Sequence, residues 1–280
     1  MKNNLVQDFA GKTAIICGGS KGIGKAAAID MVKRGCSVVL IARNKQILQE
    51  AAKVAAEGKT GDSQFVEAFD CDTTDFEKLK VFMDDFVARR GVPDYLYNSV
   101  GYAKPMYIEQ HTPDDFRRNM EVNYYGQLFP TLALLPYMMK EKKGHIINTS
   151  SVLGYMGIMA YASYAPTKFA ILGLSEVLRH ELKPYNISIS VLYPPDTATE
   201  GFEEENKTKP EECKMMSEGG GLMTSEQVAS VLIKGIKKKK FDILPGQAGF
   251  LRFMFRHSPN LVRSIIDGQY KKARKKLGKI

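Results

Sequence analysis

A doubly wound α/β fold, with a parallel sheet between two layers of helices, is what this sequence of 280 residues predicts. Three observations carry that prediction. Short apolar runs alternate with longer segments of helical period from Thr13 to Leu192. The first run passes directly into a glycine-rich turn, Gly18-Gly19-Ser20-Lys21-Gly22-Ile23-Gly24, and then into a helix. Polar residues gather where strands end, at Asp72, Asn98 and Ser151. Alternation of this kind buries a parallel sheet on both faces and leaves functional groups at its C-terminal strand ends.

Taken in order, Thr13–Cys17 is a short apolar strand, and Lys25 to Arg34 behind the turn has helical spacing that stops at Gly35. Ser37–Ala42 is the second strand, Lys45–Glu57 a helix, Gln64–Phe69 a strand and Asp75–Arg90 a helix. The strand Tyr95–Val100 runs out through Asn98-Ser99-Val100-Gly101. A long helix over Pro113–Lys140, a strand at His145–Thr149, a helix over Ala162–Leu182 and a strand at Ile187–Leu192 complete the alternation. No repeat or low-complexity linker interrupts it, so the expected division is a catalytic domain over residues 1–235 and a tail over 236–280.

Composition narrows the function. A hydrophobic content of 44% and a charged content of 25% are those of a globular chain with a sizeable core. Cys17, Cys36, Cys71 and Cys213 are scattered without metal-ligand or disulfide-frame spacing, and are read as reduced packing residues. The net charge of +9 is uneven: residues 234–280 hold fourteen Lys and Arg against Asp242 and Asp267. The rest of the chain is nearly neutral, and with no base-reading motif beside the charge, nucleic acid is not an expected partner. The start has no apolar run of signal-peptide type, and no apolar stretch reaches the ~18 residues of a membrane span. The chain is therefore expected to be cytoplasmic.

Strand, glycine turn and helix in that order make a cradle for a dinucleotide pyrophosphate, because glycines admit the phosphates and the helix N-terminus favours their charge. The second strand ends in Ala42 and Arg43, where an NAD site usually carries an acid that grips the ribose hydroxyls. An arginine suits a 2′-phosphate, and Lys21 can reach it from the glycine loop, so the expected cofactor is NADPH/NADP+. Between Ser151 and Lys168 stand a serine, a tyrosine thirteen positions on and a lysine four further. Tyr164 and Lys168 share a helix face, and an ammonium beside a phenol lowers its pKa, which makes Tyr164 a usable proton donor. Ser151, at a strand end, can bond the same oxygen. The set suits reduction of a carbonyl.

Together these residues resemble the short-chain dehydrogenase/reductase family across residues 10 to 235: Gly18, Gly22 and Gly24 in the cofactor loop, Asp72 near the adenine, Asn98 and Gly101 of the turn after the fourth strand, Asn123 in MEVNYYG, and Ser151, Tyr164 and Lys168. The resemblance implies a Rossmann-type fold, a lysine that also holds the nicotinamide ribose, and an asparagine that supports a proton-relaying water. It also implies a homo-oligomer, dimer or tetramer, with Pro113–Lys140 and the Tyr164 helix as a face. Cys17 and Ser99-Val100 depart from the usual residues, and Pro166 lies between tyrosine and lysine, where the first helical turn tolerates it.

The segment Tyr193 to Glu212, inside a substrate loop over residues 193–225, resembles that of 3-ketodihydrosphingosine reductases in its Pro-Pro-Asp-Thr start, its Gly-Phe pair and its Glu-Asn-Lys-Thr-Lys-Pro run. That resemblance implies NADPH-dependent reduction of the 3-keto group of a long-chain sphingoid precursor, with Pro194, Thr197 and Thr199 beside the cofactor. The alternatives are a reductase of another lipid-like ketone (steroid, retinoid or 3-oxoacyl) and a non-catalytic NADPH-binding protein. Glu203, Glu204 and Glu205 read first as a solvated face and second as an attraction for the substrate's 2-ammonium group. In the tail, Val262, Ile266, Tyr270, Ala273 and Leu277 form an apolar stripe on a helix otherwise dense in Lys and Arg. Two readings stand for residues 237–280, contact with an anionic membrane surface and packing on the body or a second subunit, with the lean to peripheral membrane association.

Overall fold

The computed structural model describes residues 8–217 and 221–279. The predicted alternation is present as β1 (Thr13–Cys17), α1 (Gly22–Lys33), β2 (Ser37–Ala42), α2 (Lys45–Ala56), β3 (Val66–Asp70), α3 (Phe76–Arg90), β4 (Tyr95–Asn98), α4 (Pro113–Met120), α5 (Gly126–Glu141), β5 (Gly144–Thr149), α6 (Ala165–Glu181) and β6 (Ile187–Leu192). Then follow β7 (Thr197–Ala198), α7 (Glu200–Thr208), α8 (Glu211–Ser217), β8 (Met223–Thr224), α9 (Ser225–Lys237), β9 (Asp242–Ile243), α10 (Ala248–His257) and α11 (Pro259–Lys276).

Seven parallel strands in the order β3-β2-β1-β4-β5-β6-β9 form the main sheet. Strands β1 and β2 are uninterrupted apolar runs because helices cover both faces. Ala14, Ile16, Val38 and Leu40 pack with Met31 of α1, Leu48 of α2 and Leu232 of α9. Their alternates Ile15, Cys17, Val39 and Ile41 pack with Leu79 and Phe86 of α3, Leu134 of α5 and Leu178 of α6. Each fully buried large apolar side chain contributes about 1.5 to 3 kcal/mol. Strand order reverses between β1 and β4, which opens a crevice at their C-terminal ends.

Three segments depart from the sequence expectation. Strand β3 begins two residues late because Gln64 is spent otherwise: its amide donates to the carbonyls of Val32 and Cys36 at 2.8 and 2.9 Å. The expected helix Pro113–Lys140 contains a π-helical turn over Glu121–Tyr125, between α4 and α5. The last strand, β9, lies beyond residue 235, and its two residues pair with Val191 and Leu192 of β6. The sheet thus takes an edge strand from the segment expected as tail, and the helical tail proper starts at Ala248.

Among the described residues no helix is long and apolar enough to cross a membrane. The expected tail stripe packs inward at Val262 and Ala273, which are buried. Helix α11 lies against α8, where Lys279 stands 2.9 Å from the buried Glu212. Helix α10 is anchored by Tyr155, whose hydroxyl donates to the Ala248 carbonyl at 2.9 Å, and by an Arg252–Asp242 ion pair. The tail also leaves Phe250, Phe253, Leu261 and Ile265 exposed.

Candidate active site

The cradle is built by steric necessity. Gly18 has φ +81°, and a Cβ on Gly24 would stand 2.3 Å from the Gly18 carbonyl oxygen. No larger residue at position 24 leaves turn and helix in place. The N-cap of α1, Lys21, makes no side-chain cap, and the first turn carries no acidic residue. The leading amides of α1 therefore have no competing carboxylate, as an anion site requires. Ser20 is half-buried and Ile23 packs on the core, so the turn is held from below. Across the cradle, the Thr199 methyl lies 3.0 Å from the position of a Cβ on Gly22. Its hydroxyl caps α7 by accepting from the Phe202 amide at 3.0 Å. Thr197 donates to the Pro195 carbonyl at 2.8 Å, and the Pro194 carbonyl accepts from the Val152 amide at 3.4 Å. The glycine turn and the segment after β6 thus face each other as two walls of one groove.

At the end of β2, Arg43 keeps its guanidinium largely in solvent, 62% exposed and 3.9 Å from Asp72. Asp72 is oriented by Thr74, whose amide and hydroxyl donate to it at 3.0 and 2.9 Å. An exposed guanidinium at this strand end suits a phosphate. Asn98 is placed differently from the expectation. Its side chain is fully buried and donates to Asn148 Oδ1 at 2.9 Å and to Thr131 Oγ1 at 3.1 Å. Its side chain ties β4 to β5, because register sets it directly opposite Asn148.

Ser151 follows β5 in an extended conformation and begins a single 3-10 turn, its Oγ accepting from the Leu153 amide at 3.2 Å. With that lone pair used, its O–H proton remains to be given. Tyr164 is the residue just before α6, Pro166 falls in the first turn, and Lys168 stands one turn on. Lys168 is buried, its Nζ donating to the Thr149 carbonyl at 3.1 Å and lying 5.4 Å from the Tyr164 ring centroid. A Cβ on Gly101 would meet Lys168 Nζ at 3.4 Å and Asn123 Oδ1 at 3.7 Å, so these two groups face one small space. Asn123 sits in the π turn, its Oδ1 accepting from the Tyr102 amide at 2.7 Å and its Nδ2 donating to Thr167 at 3.1 Å. Irregular helix of this kind often marks a functional position.

Burial sets the direction of both shifts at the site. Burial, with a contribution from Glu205, raises the Tyr164 pKa above that of a free phenol, and the nearby Ser151 hydroxyl only partly opposes it. Burial also lowers Lys168 to about 7. Desolvation is the largest cause of both shifts, up for the phenol and down for the amine. The consequence is a phenol that keeps its proton beside an amine able to exchange one near neutrality.

Five participants escaped the sequence reading. Gln127 donates to the Thr149 carbonyl at 2.9 Å and accepts from the Thr149 amide at 2.8 Å, which positions the carbonyl that holds Lys168. Asn119, Asn123, Gln127 and Thr131 are all buried along one face of the run from α4 through the π turn to α5, and their spacing of four was the available signal. Gly154 touches α6 so closely that a Cβ would stand 2.0 Å from Ser150 Oγ and 2.9 Å from the Lys168 carbonyl oxygen. Tyr161, whose ring lies 5.8 Å from that of Tyr164, donates its hydroxyl to Glu205.

Comparison with known proteins agrees with this geometry. The sequence model of a family described as short chain dehydrogenase matches residues 12–210. The chain is 37% identical over 259 residues to a 3-dehydrosphinganine reductase of Danio rerio, covering 92% of this chain and 78% of that protein. It is 34% identical over the same length to a 3-ketodihydrosphingosine reductase of Bos taurus, with the same coverage. Among solved structures, a 3-oxoacyl-(acyl-carrier protein) reductase with bound NAD from Brucella melitensis superposes with a TM-score of 0.69 and 27% identity, covering 82% of this chain and 85% of that one. A short-chain dehydrogenase/reductase from Burkholderia phymatum in complex with NAD shares the fold, with a TM-score of 0.79 over 91% of this chain and 96% of that one, at 21% identity.

Proposed function

The chain belongs to the short-chain dehydrogenase family, and from that premise we propose that it reduces the 3-keto group of 3-ketodihydrosphingosine to the alcohol with NADPH. The observation that carries the chemistry is the half-buried Tyr164 beside the Ser151 hydroxyl and one helical turn from the buried Lys168, at the strand ends that also bear the glycine cradle. The substrate class rests on the similarity of nearly the whole chain to reductases of that name.

Gly18 to Gly24 and Thr199 would hold the pyrophosphate, and Arg43 with Lys21 the 2′-phosphate. Bound NADPH supplies the hydride. Tyr164 donates its proton to the carbonyl oxygen as that oxygen gains charge, and Ser151 donates a hydrogen bond to the same atom. Tyrosinate in a buried site is costly, so a proton must return. Lys168, lowered to about 7 by burial and 5.4 Å from the Tyr164 ring centroid, would give it, and Asn123 borders the space through which Lys168 would be resupplied. Gln127 and Gly154 position the lysine.

Incubating the enzyme with NADPH and 3-ketodihydrosphingosine in micelles should yield one product heavier by two hydrogens, in step with NADPH consumed. No such product with folded, NADPH-binding protein would overturn the proposal.

Two associations complete the reading. Phe250, Phe253, Leu261 and Ile265 project from α10 and α11 among Arg256, Arg263, Lys271 and Lys272, a composition suited to the surface of an anionic bilayer on the cytoplasmic side. Each basic residue near such a surface contributes about 1 kcal/mol. Leu132 of α5 and Phe169 and Val177 of α6 are exposed apolar residues suited to a homo-oligomer face. Co-sedimentation with anionic but not neutral vesicles, and a sedimentation velocity above that of a monomer, are the expected results.

A further inference from the structure

The three glutamates of the substrate loop are not equivalent. Thr199 fixes where α7 starts, and so fixes which residues of the helix face inward. Glu203 is exposed, and Glu204 is 71% exposed and paired with Lys207. Glu205 is turned inward, 18% exposed. Its Oε1 accepts from the Tyr161 hydroxyl and lies 3.1 Å from Lys209 Nζ.

The surroundings of that Nζ are those of an ammonium site. The Lys209 side chain is wholly buried, and its Nζ makes no well-directed hydrogen bond among the described residues. It lies 4.6 Å from the Phe202 ring centroid and 5.8 Å from that of Tyr161. One carboxylate and two aromatic faces are what a desolvated ammonium needs. The cage adjoins the reacting position, because Tyr161 is its wall and the Tyr161 ring lies 5.8 Å from that of Tyr164.

We propose that Glu205, held by Tyr161, is the specificity residue that binds the ammonium group next to the reacting ketone, and that Lys209 occupies the cage until substrate displaces it. This rests on the reductase reading above. In a 2-amino-3-ketone the ammonium carbon is bonded to the carbonyl carbon, so with the oxygen on Tyr164 the ammonium lies within reach of the neighbouring Tyr161 and Glu205, and the proposed orientation turns it that way. Lys209 is then an internal surrogate for the substrate's cation. A purely structural Glu205–Lys209 tie across one helical turn is the competing account, and it makes different predictions.

The test compares, in the full chain with NADPH, kcat/KM for the sphingoid ketone and for a ketone of equal length without the amine. Glu205→Gln should lower the ratio of the two by about tenfold or more, mainly through KM of the amine substrate. Lys209→Met should lower that KM by about threefold, since the internal competitor is gone. In the unaltered enzyme a long-chain primary amine without a ketone should inhibit about tenfold better than the alcohol of equal length, a readout independent of any variant's folding.

An unmoved ratio in Glu205→Gln, a higher KM for both ketones in Lys209→Met, or equal inhibition by amine and alcohol would each overturn the cage. Failure of the unaltered enzyme to reduce the sphingoid ketone at all would instead overturn the reductase reading, and the cage with it.

Discussion

Replacing Lys168 by methionine should abolish useful turnover and yet make the apo-protein more stable at low pH. The sign follows from burial. The lysine titrates near 10.5 when unfolded and at about 7 in the fold, so between those values the unfolded chain binds more protons. Stability therefore rises with pH through that window, and below about 7 the full cost of burying the charge is present. Each pKa unit corresponds to about 1.4 kcal/mol, which makes the cost at pH 6 about 4 kcal/mol greater than at pH 10. Methionine fills similar space without a charge. It forfeits the 3.1 Å bond to the Thr149 carbonyl, although Gln127 still donates to that oxygen at 2.9 Å. If half of the 4 kcal/mol survives, the gain is about 2 kcal/mol, or roughly 4 to 8 °C in Tm for a domain of this size. Thermal melts of both proteins without cofactor, at pH 6 and pH 10, make the comparison. The gain should be present at pH 6 and vanish or reverse by pH 10. A variant less stable than the parent at both values would show that the buried amine is not held at a cost, and the account of Tyr164 and Lys168 would fail with it.

Tyr164→Phe, which keeps the ring and loses the proton, should lower kcat by about a hundredfold or more, measured at saturating NADPH. Ser151→Ala should lose at least about tenfold, with cofactor affinity unchanged by fluorescence titration. Arg43→Asp should raise the Kd for NADPH by about tenfold or more while leaving NADH binding as good or better, since repulsion replaces attraction at the 2′-phosphate. Asn98→Ala should lower stability by about 1 to 3 kcal/mol in a denaturant melt, because it strips partners from Asn148 and Thr131 in a fully buried network.

The fold was legible because burial on both faces of the sheet writes itself as unbroken apolar strands, and the TAIIC of β1 admits few other readings. The serine, tyrosine and lysine were picked out by their spacing together with the glycine-rich loop at the start of the chain. What spacing could not convey was burial: the structure sets Lys168 Nζ 5.4 Å from the Tyr164 ring centroid, and the direction of the tyrosine's shift follows desolvation, which depends on the packed structure. Strand β9 escaped because two residues carry no period, and it exists through pairing with β6. Asn98 was found by motif, but its inward orientation depends on the register that sets it against Asn148. The separation of Glu205 from its two neighbours depends on where Thr199 starts α7. By contrast, the stripe from Asn119 to Thr131 was visible as polar residues at every fourth position, a spacing that sets them on one helix face.

The most direct measurement sets three ketones in competition for the purified enzyme and NADPH: 3-ketodihydrosphingosine, a steroid ketone and a 3-oxoacyl ester, with each alcohol quantified by mass spectrometry. The sphingoid alcohol should form with a kcat/KM at least about a hundredfold above the others, the discrimination expected when a buried site must pair a polar group of its substrate. Preferential reduction of the steroid or the oxoacyl ester would leave the carbonyl chemistry standing and contradict the substrate assignment.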